Sequence, residues 1–223
     1  MMHRSRYPNP LTCRDTCIRR SSGLVAVVLS LMLAALSGCS SLSFDLGQKP
    51  APAAMAPDLL GQYKAALAMM AKGDYQEALP NLKTAVAALP DRPGPHFNLG
   101  IAQYHTGNLK DAMASLQYTV DVDPEMAAAH NLMGIIKREA GEFDTARKSY
   151  EQALDADPDY ANAELNLAIL YDIYLRRPEQ ALLHYNRFMD LKDGHDDTVA
   201  QWVTDLKLRI KKLADKAADG KTS

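Results

Sequence analysis

Apolar residues in the middle of the chain recur at helical spacing, in short blocks separated by turn residues. One block places Phe97, Leu99, Gly100, Ala102 and Tyr104 on a helical repeat, and the next places Ala112, Leu116 and Val120 on one face. Gly107-Asn108 separates the two, because glycine tolerates the left-handed conformation that ends a helix. Asp123-Pro124 closes the second, since proline disfavours helical geometry in the residue before it. The pattern predicts two antiparallel helices joined by a tight turn, the second running from Leu109 to about Val122.

This helix pair comes back every 34 residues. Pro90, Pro124 and Pro158 keep the period, as do Gly73, Gly107 and Gly141, and Ala78, Ala112 and Ala146; Leu82, Leu116 and Tyr150 keep it on a further register. The units are 59–92, 93–126 and 127–160, and a fourth starts at Ala161. A fixed period of this length means stacked units that cannot each bury their own apolar face, so function is to be sought on a solenoid surface. Gly100 and Gly134, with Ala66 and Ala168 at the same register, leave room where two helices cross closely.

"HFNLGIAQYHTGNLKDAMASLQYTVDVDP" (His96 to Pro124) and "HNLMGIIKREAGEFDTARKSYEQALDADP" (His130 to Pro158) resemble the tetratricopeptide repeat family almost position by position. The first unit departs early, with Gln62 and Ala65 where an aromatic and a leucine are usual. The fourth gains one residue in "DIYLRRPEQA" (Asp172 to Ala181), expected to lengthen the turn before Ala181. The resemblance implies an all-α, right-handed superhelical solenoid of four helix pairs over 58–191. After it, "KDGHDD" (Lys192 to Asp197) offers an N-cap in Asp196 or Asp197. The helix that follows sets Val199, Trp202, Val203, Leu206, Ile210 and Leu213 on one face. Residues 192–223 thus supply the capping helix that a stack requires, and a polar tail, with Trp202 in the core.

The N-terminus bears on location. Residues 1–22 carry five arginines against Asp15, and the apolar run Leu24–Leu36 follows, interrupted only by Ser30. That run is too short to span a bilayer, which takes about 20 residues, and has the length of a signal-peptide hydrophobic region. It ends in Leu36-Ser37-Gly38-Cys39, which resembles a bacterial lipobox. The resemblance implies that 1–38 is a lipoprotein signal peptide and that Cys39 receives a covalent lipid, palmitate among its acyl chains. Ser40 after it favours the periplasmic face of the outer membrane. A plain signal peptide beside a chance cysteine is the alternative. Cys13 and Cys17 fall in the discarded segment, so no disulfide is expected within the mature chain. Residues 39–57, rich in Ser, Ala and Pro, read as the acylated cysteine and a flexible tether.

The full chain has 25 basic and 27 acidic residues. Five arginines and one aspartate leave with residues 1–38, so the mature chain keeps 20 basic and 26 acidic residues. An acidic body of this kind argues against nucleic acid as a partner and against lying flat on anionic lipid.

Chemistry is not expected. His96 and His130 are equivalent positions of successive units, about 8–10 Å apart at helix-packing distance, too far to share a zinc ion at about 2 Å per ligand. There is no phosphate loop and no nucleophile motif. No enzyme activity, metal, cofactor or small-molecule substrate is anticipated; a protein or peptide segment is. In tetratricopeptide repeats the first helix of each unit lines a concave groove. Carried over, that groove contains Tyr63, Leu67 and Met70 from unit one, and Phe97, Ile101, Tyr104 and His105 from unit two. Unit three adds Asn131, Ile135, Arg138 and Glu139, and unit four Leu165, Ile169 and Asp172. Such a lining suits an apolar or amphipathic peptide, unless the tether or the C-terminal helix covers it. The expected role is an interaction scaffold, and more narrowly a pilotin-like assembly factor holding a segment of a secretin for a pilus or secretion complex. An envelope adaptor for peptidoglycan enzymes or a protease, and an accessory of an energy-transducing complex, stay open beside it.

Overall fold

The computed structural model describes residues 56–219, and the nine helices among them keep the period of the sequence. Three pairs come first: α1 (Pro57–Lys72) with α2 (Tyr75–Ala88), α3 (Pro93–His105) with α4 (Leu109–Val122), and α5 (Ala127–Glu139) with α6 (Phe143–Ala156). Next, α7 (Ala161–Ile169) continues into a π turn, Leu170–Tyr174, and packs on α8 (Pro178–Leu191); α9 (Asp197–Asp219) lies against α8. Each pair packs on the next, and α3 also meets α5 as α5 meets α7, so the first helix of each pair forms the inner side of an all-helical solenoid. The expected signal segment, Cys39 and the tether up to Met55 lie outside the described residues.

Stacking rests on one repeated triplet. Pro95, Leu99 and Ala102 of α3 are buried, and Ala129, Met133 and Ile136 repeat them on α5. Ala163, Leu167 and Leu170 do so in the fourth unit, and Val199, Val203 and Leu206 on α9. Thus α9 stands where the first helix of a fifth unit would stand, and closes the apolar end of the stack. Its N-cap is Asp196, whose Oδ1 accepts the Val199 N–H at 3.0 Å. Trp202 is half-buried, its ring 6.0 Å from that of the fully buried Tyr185.

Within a pair the limit is how closely the helices cross. A Cβ added at Gly134 would lie 2.5 Å from Cε1 of Tyr150, and one at Gly100 would lie 3.0 Å from Cγ of Leu116. Tyr150 fills this space completely in the third unit, and its hydroxyl is buried without a hydrogen-bond partner among the described residues. Burial accordingly pushes its pKa up. A second intrapair contact repeats alongside. The Ser115 hydroxyl donates to Gln103 Oε1 at 2.7 Å, Lys137 Nζ donates to the Ser149 hydroxyl at 2.8 Å, and the Tyr171 ring stacks on His184 at 5.5 Å.

The extra residue of the fourth unit is not in the turn. The segments between paired helices at 106–108, 140–142 and 175–177 are equally long, whereas 161–174 has one residue more than α3 or α5. The backbone widens by a residue in the π turn, where Leu175 N–H donates to Leu170 O and Arg177 N–H to Tyr171 O. One physical consequence follows at the helix end. Gly73, Gly107 and Gly141 take positive φ there, and in the fourth unit the shifted position falls on Arg176 at φ 52°. A side chain in that region costs about 1–2 kcal/mol.

The close crossing makes a paired prediction. Gly134→Ala should destabilise the protein by about 1–3 kcal/mol through overpacking against Tyr150. Gly61→Ala, on α1 with nothing within 4 Å of the added Cβ, should instead stabilise it by up to about 1 kcal/mol. Thermal unfolding of both variants decides; equal effects would mean that the crossing at Gly134 has slack.

Candidate functional site

Helix positions on the inner side face one another across neighbouring units, so a side chain there meets either a ligand or the next helix. The structure divides the expected groove accordingly. In units one and two, Leu67 is 36 % exposed, His105 is exposed, and Tyr63, Met70, Phe97, Ile101 and Tyr104 are half-buried. Leu60, seven residues before Leu67 on the same face of α1, is also 36 % exposed and joins this surface. It was legible as the second position of the unit, one turn before Tyr63, but belongs to the part of α1 where the repeat pattern is weakest.

Units three and four differ. Asn131, Ile135 and Ile169 are buried, at 1 %, 0 % and 4 % exposure. Asp172 is buried as well, while Leu165 and Arg138 keep partial access and Glu139 is exposed. The cause is packing between inner helices. Asn166 Nδ2 donates to Asn131 Oδ1 at 2.9 Å, and Arg138 donates to Asn166 Oδ1 at 3.4 Å. These side chains join α5 to α7 and present no free surface for a peptide. The expected lining is therefore corrected at Asn131, Ile135, Ile169 and Asp172: the accessible apolar face belongs to the N-terminal half.

The same geometry recurs as a series of polar rungs along the inner side. Asn98 Nδ2 donates to the Tyr63 hydroxyl, and this bond spans the same 35 residues as Asn131 to Asn166. The Tyr104 hydroxyl donates to Glu139 at 2.7 Å, again 35 residues on. At the far end Arg209 of α9 donates to Asp172, spanning 37 residues because the π turn and the turn at 192–196 each add one. Burial raises the pKa of Tyr63, against the opposing hydrogen bond from Asn98. At the turns between paired helices, aromatic rings meet across units: Tyr75 stacks on His105 at 3.9 Å, and Phe143 lies tilted against Tyr174 at 4.8 Å.

The two equivalent histidines have a common structural role. His96 Nε2 lies 3.0 Å from Pro90 O, and His130 Nε2 lies 2.9 Å from Pro124 O. Each ring therefore ties the start of one unit to the proline that ends the unit before, with Nε2–H as donor to the carbonyl. His96 also stacks on Tyr118 at 4.0 Å. Among the described residues no group of three or more His, Cys, Asp or Glu could hold a metal ion, and no helix is long and apolar enough to cross a membrane.

Comparison with known proteins agrees with this fold. Two family models, both described as tetratricopeptide repeat, match residues 69–136 and 125–193. Among solved structures, MamA 41-end from Desulfovibrio magneticus RS-1 is 22 % identical with a TM-score of 0.61, covering 76 % of this chain and 94 % of that one. Pseudomonas aeruginosa pilF is 18 % identical with a TM-score of 0.62, covering 69 % of each chain. A thermophilic repeat protein of the same kind from Thermus thermophilus is 26 % identical with a TM-score of 0.57, covering 68 % of this chain and 82 % of that one. No curated protein sequence matches the chain.

The burial of His96 and His105 predicts a pH dependence. Desolvation lowers the pKa of His96, outweighing its bond to the Pro90 carbonyl, and lowers that of His105, outweighing the Glu139 charge. A histidine whose folded pKa lies below its unfolded value of about 6.5 stabilises the fold fully above that value. That stability is lost as pH falls through about 6.5 towards the folded pKa. The melting temperature should therefore drop between pH 7.5 and 5.5, and the His96→Gln/His105→Gln variant should show a smaller drop. An unchanged pH dependence in the variant would remove both rings from the account.

Proposed function

Residues 69–193 are tetratricopeptide repeats, and on that premise we propose that the chain is a lipid-anchored scaffold at the periplasmic face of a bacterial outer membrane. Its N-terminal inner face holds an apolar or amphipathic segment of a partner protein, and that partner is a component of a secretin or pilus assembly, or of a related secretion complex. The observation that carries the binding part is the exposed apolar face of units one and two. Leu60 and Leu67 stand in water beside Tyr63, Phe97 and Ile101, on a surface whose continuation in units three and four is filled by the protein's own side chains. Apolar side chains left exposed on a rigid, concave support are the form in which helical-repeat proteins take up a helix or an extended peptide. Burying one leucine on each side of such a contact contributes about 2 kcal/mol apiece.

The anchoring part rests on the lipobox-like Leu36-Ser37-Gly38-Cys39 after the basic and apolar segments. Two or three acyl chains, at about 0.8 kcal/mol per buried methylene, hold a protein to a bilayer in effect permanently. The tether then sets the radius of search: residues 40–56, before α1, reach at most about 60 Å if fully extended.

Each part has its own test. Cys39→Ala should leave the protein unanchored, and recovery of that variant in the outer-membrane fraction would end the lipoprotein reading. For the groove, Leu67→Asp with Phe97→Ala should abolish in-cell crosslinking to the partner while the helical circular-dichroism signal is kept. Secretin or pilus components captured by the wild type and lost in the variant support the assembly role. Peptidoglycan enzymes or a protease captured in the same way replace it with the envelope-adaptor reading.

A further inference from the structure

The charge of the repeat body reverses at its last helix. From 57 to 205 the chain carries 13 basic and 23 acidic residues, and from 206 to 219 it carries five basic against two acidic. The reversal coincides with a change in packing. α3 and α5 have 13 residues each, whereas α9 has 23, and every residue from 211 to 219 is exposed. The last ten residues of α9 therefore project about 15 Å past the part that is packed.

Two features give this projection a direction. The bond from Arg209 to Asp172 pins α9 beside the end of the fourth inner helix, where Ile173 and Tyr174 are 39 % and 43 % exposed. The turn that follows adds Arg176 and Arg177, both exposed. On the helix itself, Ile210, Leu213 and Ala217 continue the stripe that Val199, Val203 and Leu206 bury against the body. By helical spacing Lys207 flanks that stripe on one side and Arg209 and Lys216 on the other. Leu213 is 57 % exposed.

We infer that this corner is a contact site for an anionic phospholipid surface. An apolar stripe bordered by lysines, with tyrosine alongside, is the arrangement that lies in a headgroup region: the apolar side chains enter it and the ammonium groups reach the phosphates. The convex, projecting shape suits a deformable surface, whereas a peptide segment needs a concavity such as the inner face of units one and two. Pairing with the same helix of a second copy is opposed by the lysines on both borders. An acidic body keeps the remainder of the solenoid off such a surface, so the contact is made end-on. The site is separate from the groove and independent of acylation.

The test uses residues 56–223, a compact unit with its own core and no Cys39, in sedimentation with vesicles at 0.15 M salt. Partition onto vesicles with 30 % phosphatidylglycerol should exceed that onto pure phosphatidylcholine at least about tenfold, and should fall with salt. Lys207→Glu/Lys216→Glu should remove that excess, and Leu213→Asp should cut partition about fivefold, with unfolding midpoints unchanged because these residues are exposed. Equal partition onto both vesicle types, or binding that survives the charge reversals, overturns the inference. So does the absence of binding, or a second copy or an acidic protein captured through the same residues without lipid. Since Cys39 and the groove play no part, failure here leaves the crosslinking result to judge the scaffold reading separately.

Discussion

The solenoid depends on one steric allowance, the absence of a side chain where the two helices of a pair cross. At Gly134 an added methyl would overlap the Tyr150 ring, and at Gly100 it would press on Leu116. Because the pair is that tight, its outer surface has a fixed shape, and the triplet on each inner helix meets the preceding pair in the same way four times, including α9. Shape repeated in this way is what allows nearest-neighbour contacts alone to hold an elongated protein together.

Most of this was legible in the sequence, since the features that encode it are small residues, prolines and glycines at fixed intervals. The boundaries Leu109 and Val122, the left-handed Gly107 and the N-cap at Asp196 follow from local rules, and local rules act within a few residues. The extra residue of the fourth unit was legible, and its location was not. A turn is where an insertion is ordinarily absorbed, but here the turn keeps its length and the inner helix widens. That choice is made by tertiary packing: Tyr171 stacks on His184 and Tyr174 packs at a tilt on Phe143, contacts between residues that pattern alone does not connect.

The groove shows the same limit. Family positions identify which residues point inward, and all of those named do lie on inner helices. Whether an inward residue is open or filled depends on the residue 35 positions further on. Tyr63 and Asn98 join at the edge of an accessible apolar face, whereas Asn131 and Asn166 join in an interior that also takes up Ile135 and Ile169. The inner side is thus an accessible apolar face at one end and a structural seam at the other. The seam ends at the bond between Asp172 and Arg209, so the cap is tied to the same line of contacts that stiffens units three and four.

The π turn has a consequence for how such a chain tolerates change in length. A solenoid reads its sequence in phase, and a residue gained between the two helices of a pair alters the angle at which the second leaves. A residue gained inside a helix end is taken up where it arises, and the triplet on α9 still meets α8 as its counterparts meet theirs. The fourth unit therefore works as an expansion joint: it isolates the downstream cap from a change of length upstream, at the expense of a left-handed arginine where its siblings have glycine.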